Sequence, residues 1–212
     1  MKIICVIPAR GGSKGIPNKN LQLVGGLPLI ARSVLASVAC KAIVKTYVSS
    51  DSDRILKIGE QYGASTIKRD INISGDENST EDVLLHCLEF LKKEGTEPEI
   101  LVYLQCTSPF TTAKDIDKVI KSLLDNNDVD CVFSAMKDHS FLWKISDQGF
   151  AKGVNHTGYE QRLRRQDLQT FTYRENGAVY AIRVPALLKS KNRFGYKALP
   201  VVAAEVLPFE ID

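Results

Sequence analysis

The chain has 212 residues, 44% of them apolar and 25% charged, a length and balance that suit one α/β domain and exclude a disordered or collagen-like chain. Its 28 Lys and Arg against 25 Asp and Glu leave a net charge of +3, too small for a nucleic-acid-binding face but compatible with small anionic ligands. No apolar run reaches the roughly 20 residues that cross a bilayer, and the chain enters a strand pattern without a signal-peptide layout, so no membrane partner and a cytoplasmic location are expected.

Lys2 to Ile7, KIICVI, is an apolar run ending in Pro and Gly, the pattern of a strand buried on both faces of a parallel sheet. Glycines open a loop, and from Pro28 to about Cys40 the residues Leu29, Ile30, Val34, Leu35 and Val38 recur at helical spacing. A strand follows near Thr46 to Ser49, a helix near Asp53 to Tyr62 and a short strand at Ser65 to Lys68. After a loop with Gly75, Asp76 and Asn78, Ser79 stands three residues before Asp82, a helix-capping arrangement ahead of the amphipathic stretch Val83 to Leu91. Ile100 to Leu104 reads as a buried strand, Ala113 to Leu124 as a helix, Cys131 to Ala135 as a strand and Gly177 to Ile182 as a late strand.

Strands alternating with helices imply an α/β fold with a mostly parallel central sheet between two helical layers, with ligand loops gathered at the carboxyl ends of the strands. Between Lys137 and Phe171 the periodicity fades, and this stretch is expected to be an inserted lobe of the single domain 1–212, packed against something such as a second subunit. Cys5, Cys40, Cys87, Cys106 and Cys131 form an odd set without close pairs, and His86, His139 and His156 lack metal-ligand spacing. Buried thiols and no catalytic histidine are the expectation.

The chemistry is concentrated in Ile7 to Asn20, IPARGGSKGIPNKN. Gly11 and Gly12 let backbone amides approach an anion, and Arg10, Lys14 and Lys19 add positive charge, so a polyphosphate fits. The spacing is neither that of a P-loop NTPase nor that of a dinucleotide fold. A basic surface turn is the plain alternative.

This string after a first strand resembles the signature of the acylneuraminate (sialic acid) cytidylyltransferases. Kdo cytidylyltransferases carry a related loop without the GGSKGIP-x-KN continuation and form a second reading. A third, of another class, is a catalytically silent homologue that binds a sugar nucleotide. The resemblance implies a Rossmann-like nucleotidyltransferase fold in which CTP and an N-acylneuraminate give the CMP-sugar and diphosphate. It implies that Arg10 and Lys19 bind the triphosphate and stabilise the departing diphosphate, with Gly11, Ser13 and Lys14 beside them and Asn20 near the ribose and phosphates.

A second matching block is Gln105-Cys106-Thr107-Ser108-Pro109, with Cys106 where the family typically has proline. By resemblance Gln105 contacts the sugar, and Thr107 and Ser108 present polar atoms at the same strand end. The third block comprises Arg165-Gln166-Asp167, Arg174 and Asn176-Gly177-Ala178-Val179-Tyr180. Arg165 and Arg174 suit a carboxylate, which guanidinium groups bind in bidentate fashion. Asn176 and Tyr180 complete the expected sugar set, although an Asn-Gly pair also makes turns and a strand tyrosine also packs.

Arg69 and Thr80 flank the loop where the family holds cytidine. Arg69 could donate to the acceptor edge of the base, whereas Thr80 is equally suited to helix capping. Glu210-Ile211-Asp212 resembles the family's acidic metal motif, with alternate carboxylates able to hold Mg²⁺, or Mn²⁺ in its place. Family members continue past this motif into an acidic stretch and a final helix, whereas this sequence stops at Asp212. The family also implies a homodimer, with arginines of the third block reaching across its interface.

Overall fold

In the computed structural model, which describes residues 1–12, 15–70, 73, 75, 78–155, 164, 172–203 and 211, the first apolar run becomes β1 (Ile3–Pro8). Its residues alternate between two cores: Ile3, Cys5 and Ile7 face one, Ile4 and Val6 the other. A strand buried on both faces needs apolar side chains at every position, which explains the unbroken run.

Five more strands run parallel to it: β4 (Lys45–Ser50), β5 (Ser65–Lys68), β6 (Ile100–Leu104), β7 (Cys131–Asp138) and β11 (Ala198–Val202). Between β6 and β7 lies β10 (Thr172–Arg183), antiparallel to both, and the sheet order is β11-β7-β10-β6-β1-β4-β5. Helices α1 (Leu29–Ala39), α2 (Asp53–Gln61) and α4 (Ala113–Asp125) cover one face. Helices α3 (Thr80–Lys93) and α5 (Val184–Ser190) cover the other. This is the expected three-layer α/β architecture with a mostly parallel sheet. Each fully buried Leu or Ile, such as Leu84 or Ile120, contributes about 1.5–3 kcal/mol.

Two helices start on reciprocal caps. Ser79 Oγ accepts the Asp82 amide at 3.1 Å while Asp82 accepts the Ser79 amide, and Thr112 and Asp115 repeat the arrangement ahead of α4. All five cysteines are buried and unpaired, and burial pushes the Cys5, Cys106 and Cys131 thiols up to about 12.

The late strand is longer than the expected Gly177 to Ile182 and runs against its neighbours. Its first half, Thr172 to Glu175, pairs with Ala135 to Asp138 past a register shift between Glu175 and Tyr180. Together these segments form a two-stranded arm beyond the carboxyl edge of the sheet. Polar residues exposed along the arm hide it from a search for apolar runs. Also absent from the sequence reading were α5, β11, a small hairpin β2 (Leu23–Val24) and β3 (Leu27–Pro28), and a second hairpin β8 (Trp143–Ile145) and β9 (Ala151–Gly153). The last lies within the stretch 137–171 set apart as a lobe. Among the described residues no helix is long and apolar enough to cross a membrane.

Candidate active site

Strand order reverses between β1 and β6: the chain proceeds from β1 outward through β4 and β5, then returns to the other flank of β1. Loops leaving the carboxyl ends of these strands diverge and leave a crevice, the usual ligand position in an open α/β sheet. A cleft of about 210 Å³ opens there, lined by residues that include Arg10, Lys19, Asn20, Tyr103, Gln105 and Thr107. A larger groove of about 930 Å³ lies at the amino edge, around Ile100, Val184 and Tyr196. It contains none of the motif residues, and the guanidinium of its Arg183 is spent on the carbonyls of Leu123, Asn126 and Val129. Convergent cations therefore identify the smaller cleft as the chemical site.

The loop after β1 is held at both ends. Ala9 donates to the Ser49 carbonyl at 2.9 Å, continuing the ladder to β4, and the buried Asn20 donates through Nδ2 to the Arg10 carbonyl at 3.0 Å. Asn18 takes a left-handed conformation (φ 52°), which asparagine tolerates, and starts the 3₁₀ turn Lys19–Leu21. Lys19 is thus presented from a short rigid turn rather than a free tail. Asn20, expected near ribose and phosphates, lines the cleft while its amide closes the loop. The Gly11 amide, expected to meet phosphate, instead donates to Asp51 Oδ1 at 2.8 Å, and a Cβ on Gly12 would meet open space. Ser13 and Lys14 lie outside the described residues.

The second block forms the opposite wall. Gln105 donates its amide to the Ala178 carbonyl at 3.1 Å, so the loop after β6 is hung from the irregular part of β10. Thr107 Oγ1 is buried without a hydrogen-bond partner, and such an orphaned hydroxyl is a place for a ligand atom. Ser108 is turned inward, its Oγ donating to the Gly177 carbonyl at 3.1 Å, a bond that holds this loop. Cys106 is buried at the cleft wall.

The third block is divided by the structure. Asn176 accepts from Ser134 Oγ at 2.5 Å and from the Ala178 amide at 3.3 Å, and Ser134 Oγ in turn accepts from the Val179 amide at 2.9 Å. These bonds satisfy backbone groups released by the register shift. Tyr180 lies in the core, only 2% exposed, stacked on Tyr103 with ring centroids 5.1 Å apart and donating to the Glu175 carboxylate. Burial raises its hydroxyl pKa. Both residues were expected as sugar ligands, and the Asn176 Oδ1 and the Tyr180 hydroxyl are engaged within the wall behind the cleft. Arg174 is exposed on the arm, with Nη2 3.0 Å from Met136 Sδ. Arg165 lies outside the described residues.

On the other flank, Arg69 leaves the end of β5 with its amide on the Ser50 carbonyl at 2.9 Å. Only 5% of it is exposed, Nε has no partner, and burial lowers its pKa. A buried guanidinium with an unused donor is suited to a ligand acceptor. Thr80 does not cap α3, a task Ser79 performs; its side chain lies beside the Tyr103 hydroxyl, which is itself pushed up to about 12 by burial. Asp51 and Tyr103 escaped the sequence reading, and the only signal for Asp51 was its position directly after a strand.

Glu210 and Asp212 lie outside the described residues, but Ile211 between them donates its amide to the Thr107 carbonyl at 3.0 Å. The middle of the acidic motif is thus tied to the cleft wall. Among the described residues no group of three or more His, Cys, Asp or Glu could hold a metal.

An open α/β sheet with cations converging at its switch point is an architecture suited to anionic ligands such as nucleotides. The chain belongs to the cytidylyltransferase family, whose profile matches residues 4–201. It is similar to the N-acylneuraminate cytidylyltransferase of Streptococcus agalactiae serotype V, 32% identical over all of this chain and 51% of that protein. The chain thus spans about half the length of that relative and of the Escherichia coli N-acylneuraminate cytidylyltransferase. It also spans 90% of the post-translational flagellin modification protein B of Campylobacter coli, at 25% identity. A solved CMP:2-keto-3-deoxy-manno-octonic acid synthetase complexed with CTP shares the fold, with a TM-score of 0.66, 18% identity and coverage of 96% of this chain and 91% of that one.

Proposed function

We propose that the protein transfers the cytidylyl group of CTP to a sialic-acid-type nonulosonic acid, N-acylneuraminate or a close relative. In this reaction the anomeric hydroxyl bonds to the α-phosphorus and loses its proton, while the bond from that phosphorus to the bridging oxygen breaks and diphosphate leaves. The observation that carries the reading is the convergence of Arg10 and Lys19 with Gln105 and Thr107 in one cleft at the switch point. Fixed cations offset the charge that develops on the diphosphate without reorganising at the moment of reaction.

Arg69 receives the acceptor edge of cytosine, and Arg174 and Arg165 take the sugar carboxylate. Mg²⁺ is assigned to Glu210 and Asp212, supported by the bond from Ile211 to Thr107 and by the preference of this hard ion for oxygen. When bound it supplies charge neutralisation at the phosphates. Exposed Ile145 and Phe150 beside the arm suit a homodimer. The cytoplasm, where CTP is available, is the proposed compartment.

The test is diphosphate release with CTP, Mg²⁺ and, in turn, N-acetylneuraminic, legionaminic, pseudaminic and 2-keto-3-deoxy-octonic acids. Turnover is expected with one of the first three. Faster turnover of the octonic acid would reassign the substrate, and no turnover with any of them would leave a nucleotide-sugar-binding protein. Light scattering checks the dimer, which a monomer at working concentration contradicts.

A further inference from the structure

We propose that Asp51 is a positioning residue for nucleotide binding, its carboxylate anchoring the first turn of the loop after β1 and linking that loop to the Arg69 side of the cleft. The proposal rests on the reading of this cleft as a CTP site. Asp51 is the first residue after β4, and Arg69 the first after the neighbouring β5, so both step off the sheet at the same edge. Asp51 Oδ1 accepts the Gly11 amide at 2.8 Å, across forty positions of sequence.

The backbone that carries this carboxylate is itself tied down. Lys68 Nζ donates to the Asp51 carbonyl at 2.8 Å and to Asp53 Oδ1 at 2.5 Å, and the Ser52 amide donates to Ser50 Oγ at 3.0 Å ahead of α2. The loop sits close against it: a Cβ added to Gly11 would stand 3.0 Å from Ser52 Cβ, tighter than ordinary packing. Gly11 therefore lets the loop approach the β4 end without displacing Ser52.

This arrangement changes the division of labour in the loop. An amide bound to a carboxylate is unavailable to phosphate, and a bond with an ionised acceptor is stronger than one between neutral groups. Phosphate recognition then falls to Arg10, Lys19 and the open Gly12 side, whose placement depends on Gly11 being held. Asp51 also stands next to Arg69, whose amide is bonded to the Ser50 carbonyl: burial and Arg10 disfavour the guanidinium charge, and the Asp51 carboxylate opposes that loss. One carboxylate thus serves the triphosphate half of the site through the backbone and the base half through its charge.

Calorimetry on the full chain with inorganic triphosphate and with CTP, both with Mg²⁺, separates these two actions. Asp51→Ala is expected to weaken both ligands by about tenfold, the equivalent of one hydrogen bond to a charged group. Asp51→Asn keeps an acceptor for Gly11, so triphosphate binding stays near that of the parent while CTP loses affinity. This ratio is a readout that loss of stability alone does not move. Parental affinities in Asp51→Ala would overturn the proposal, as would a loss confined to CTP, which removes the loop anchor. Should Asp51→Ala fail to fold, an unchanged CTP-to-triphosphate ratio in Asp51→Asn overturns it. Parent protein that binds triphosphate but not CTP would instead overturn the nucleotide reading itself.

Discussion

The cleft between β1 and β6 and the arm formed by β7 and β10 stand on the same edge of the sheet but are built differently. Around the cleft three polar side chains are committed to backbone: Asn20 to Arg10, Asp51 to Gly11, Ser108 to Gly177. Arg10 and Lys19 project from these pinned loops, an arrangement suited to transition-state charge. The arm leaves the sheet past the register shift, exposes Tyr173 and Arg174 and is followed by a hairpin with exposed Ile145 and Phe150. In the proposed reaction the cleft supplies the fixed chemistry and the arm the recognition of the sugar acid.

Lys19→Ala tests this division most severely. Turnover is expected to fall by about 10²- to 10³-fold, the loss typical of one transition-state charge partner, with an unchanged melting temperature; a fall in both would give Lys19 a structural role. Asn20→Ala breaks a bond that closes the loop and should cost about 1–3 kcal/mol in denaturant unfolding, together with activity. Stability equal to the parent would show that the loop closes without it.

Arg174→Ala probes the arm. KM for the sugar acid is expected to rise about tenfold, as for a lost charged contact, while KM for CTP holds; equal changes in both would remove the division between cleft and arm. Tyr180→Phe should cost about 1 kcal/mol through its lost bond to Glu175 and leave kcat unchanged, whereas a selective fall in sugar binding would return Tyr180 to the ligands. The smallest effect concerns His86, whose folded pKa is lowered, first by burial and then by Arg69. The unfolded chain then binds more protons, so stability is full above the ordinary histidine value near 6.5. It declines as pH falls below that value, until the folded-state pKa is passed. His86→Gln should flatten that part of the profile in urea titrations.

Most of the cleft was legible because its signals are local. A strand buried on both faces must be apolar throughout, and a loop that receives anions needs small and cationic residues in one short stretch, so Ile3 to Asn20 carries its meaning in order. Arg69, Gln105 and Thr107 were named from motif resemblance beside strand ends, and Gln105 and Thr107 line the cleft. For Tyr180 and Asn176, motif membership does not reveal which way a polar atom points. A register shift and an aromatic stack, both made with β7 and β6, determine that. Asp51 was invisible for the same reason: its partner Gly11 lies forty residues away. The arm was missed because, with little to bury, it has no period-two apolar pattern.

The position of β10 between β6 and β7 also dictates an order of assembly on the ribosome. Gln105 hangs from Ala178 and Ser108 from Gly177, so the second wall of the cleft has nothing to fasten to until those residues have emerged. A nascent chain can pair β1, β4, β5 and β6 much earlier, since each lies beside a strand already made. It then waits some seventy residues with the flank of β6 open, and unpaired strand edges in such intermediates promote aggregation. Completion of the cleft and protection of the growing chain thus coincide in one late strand.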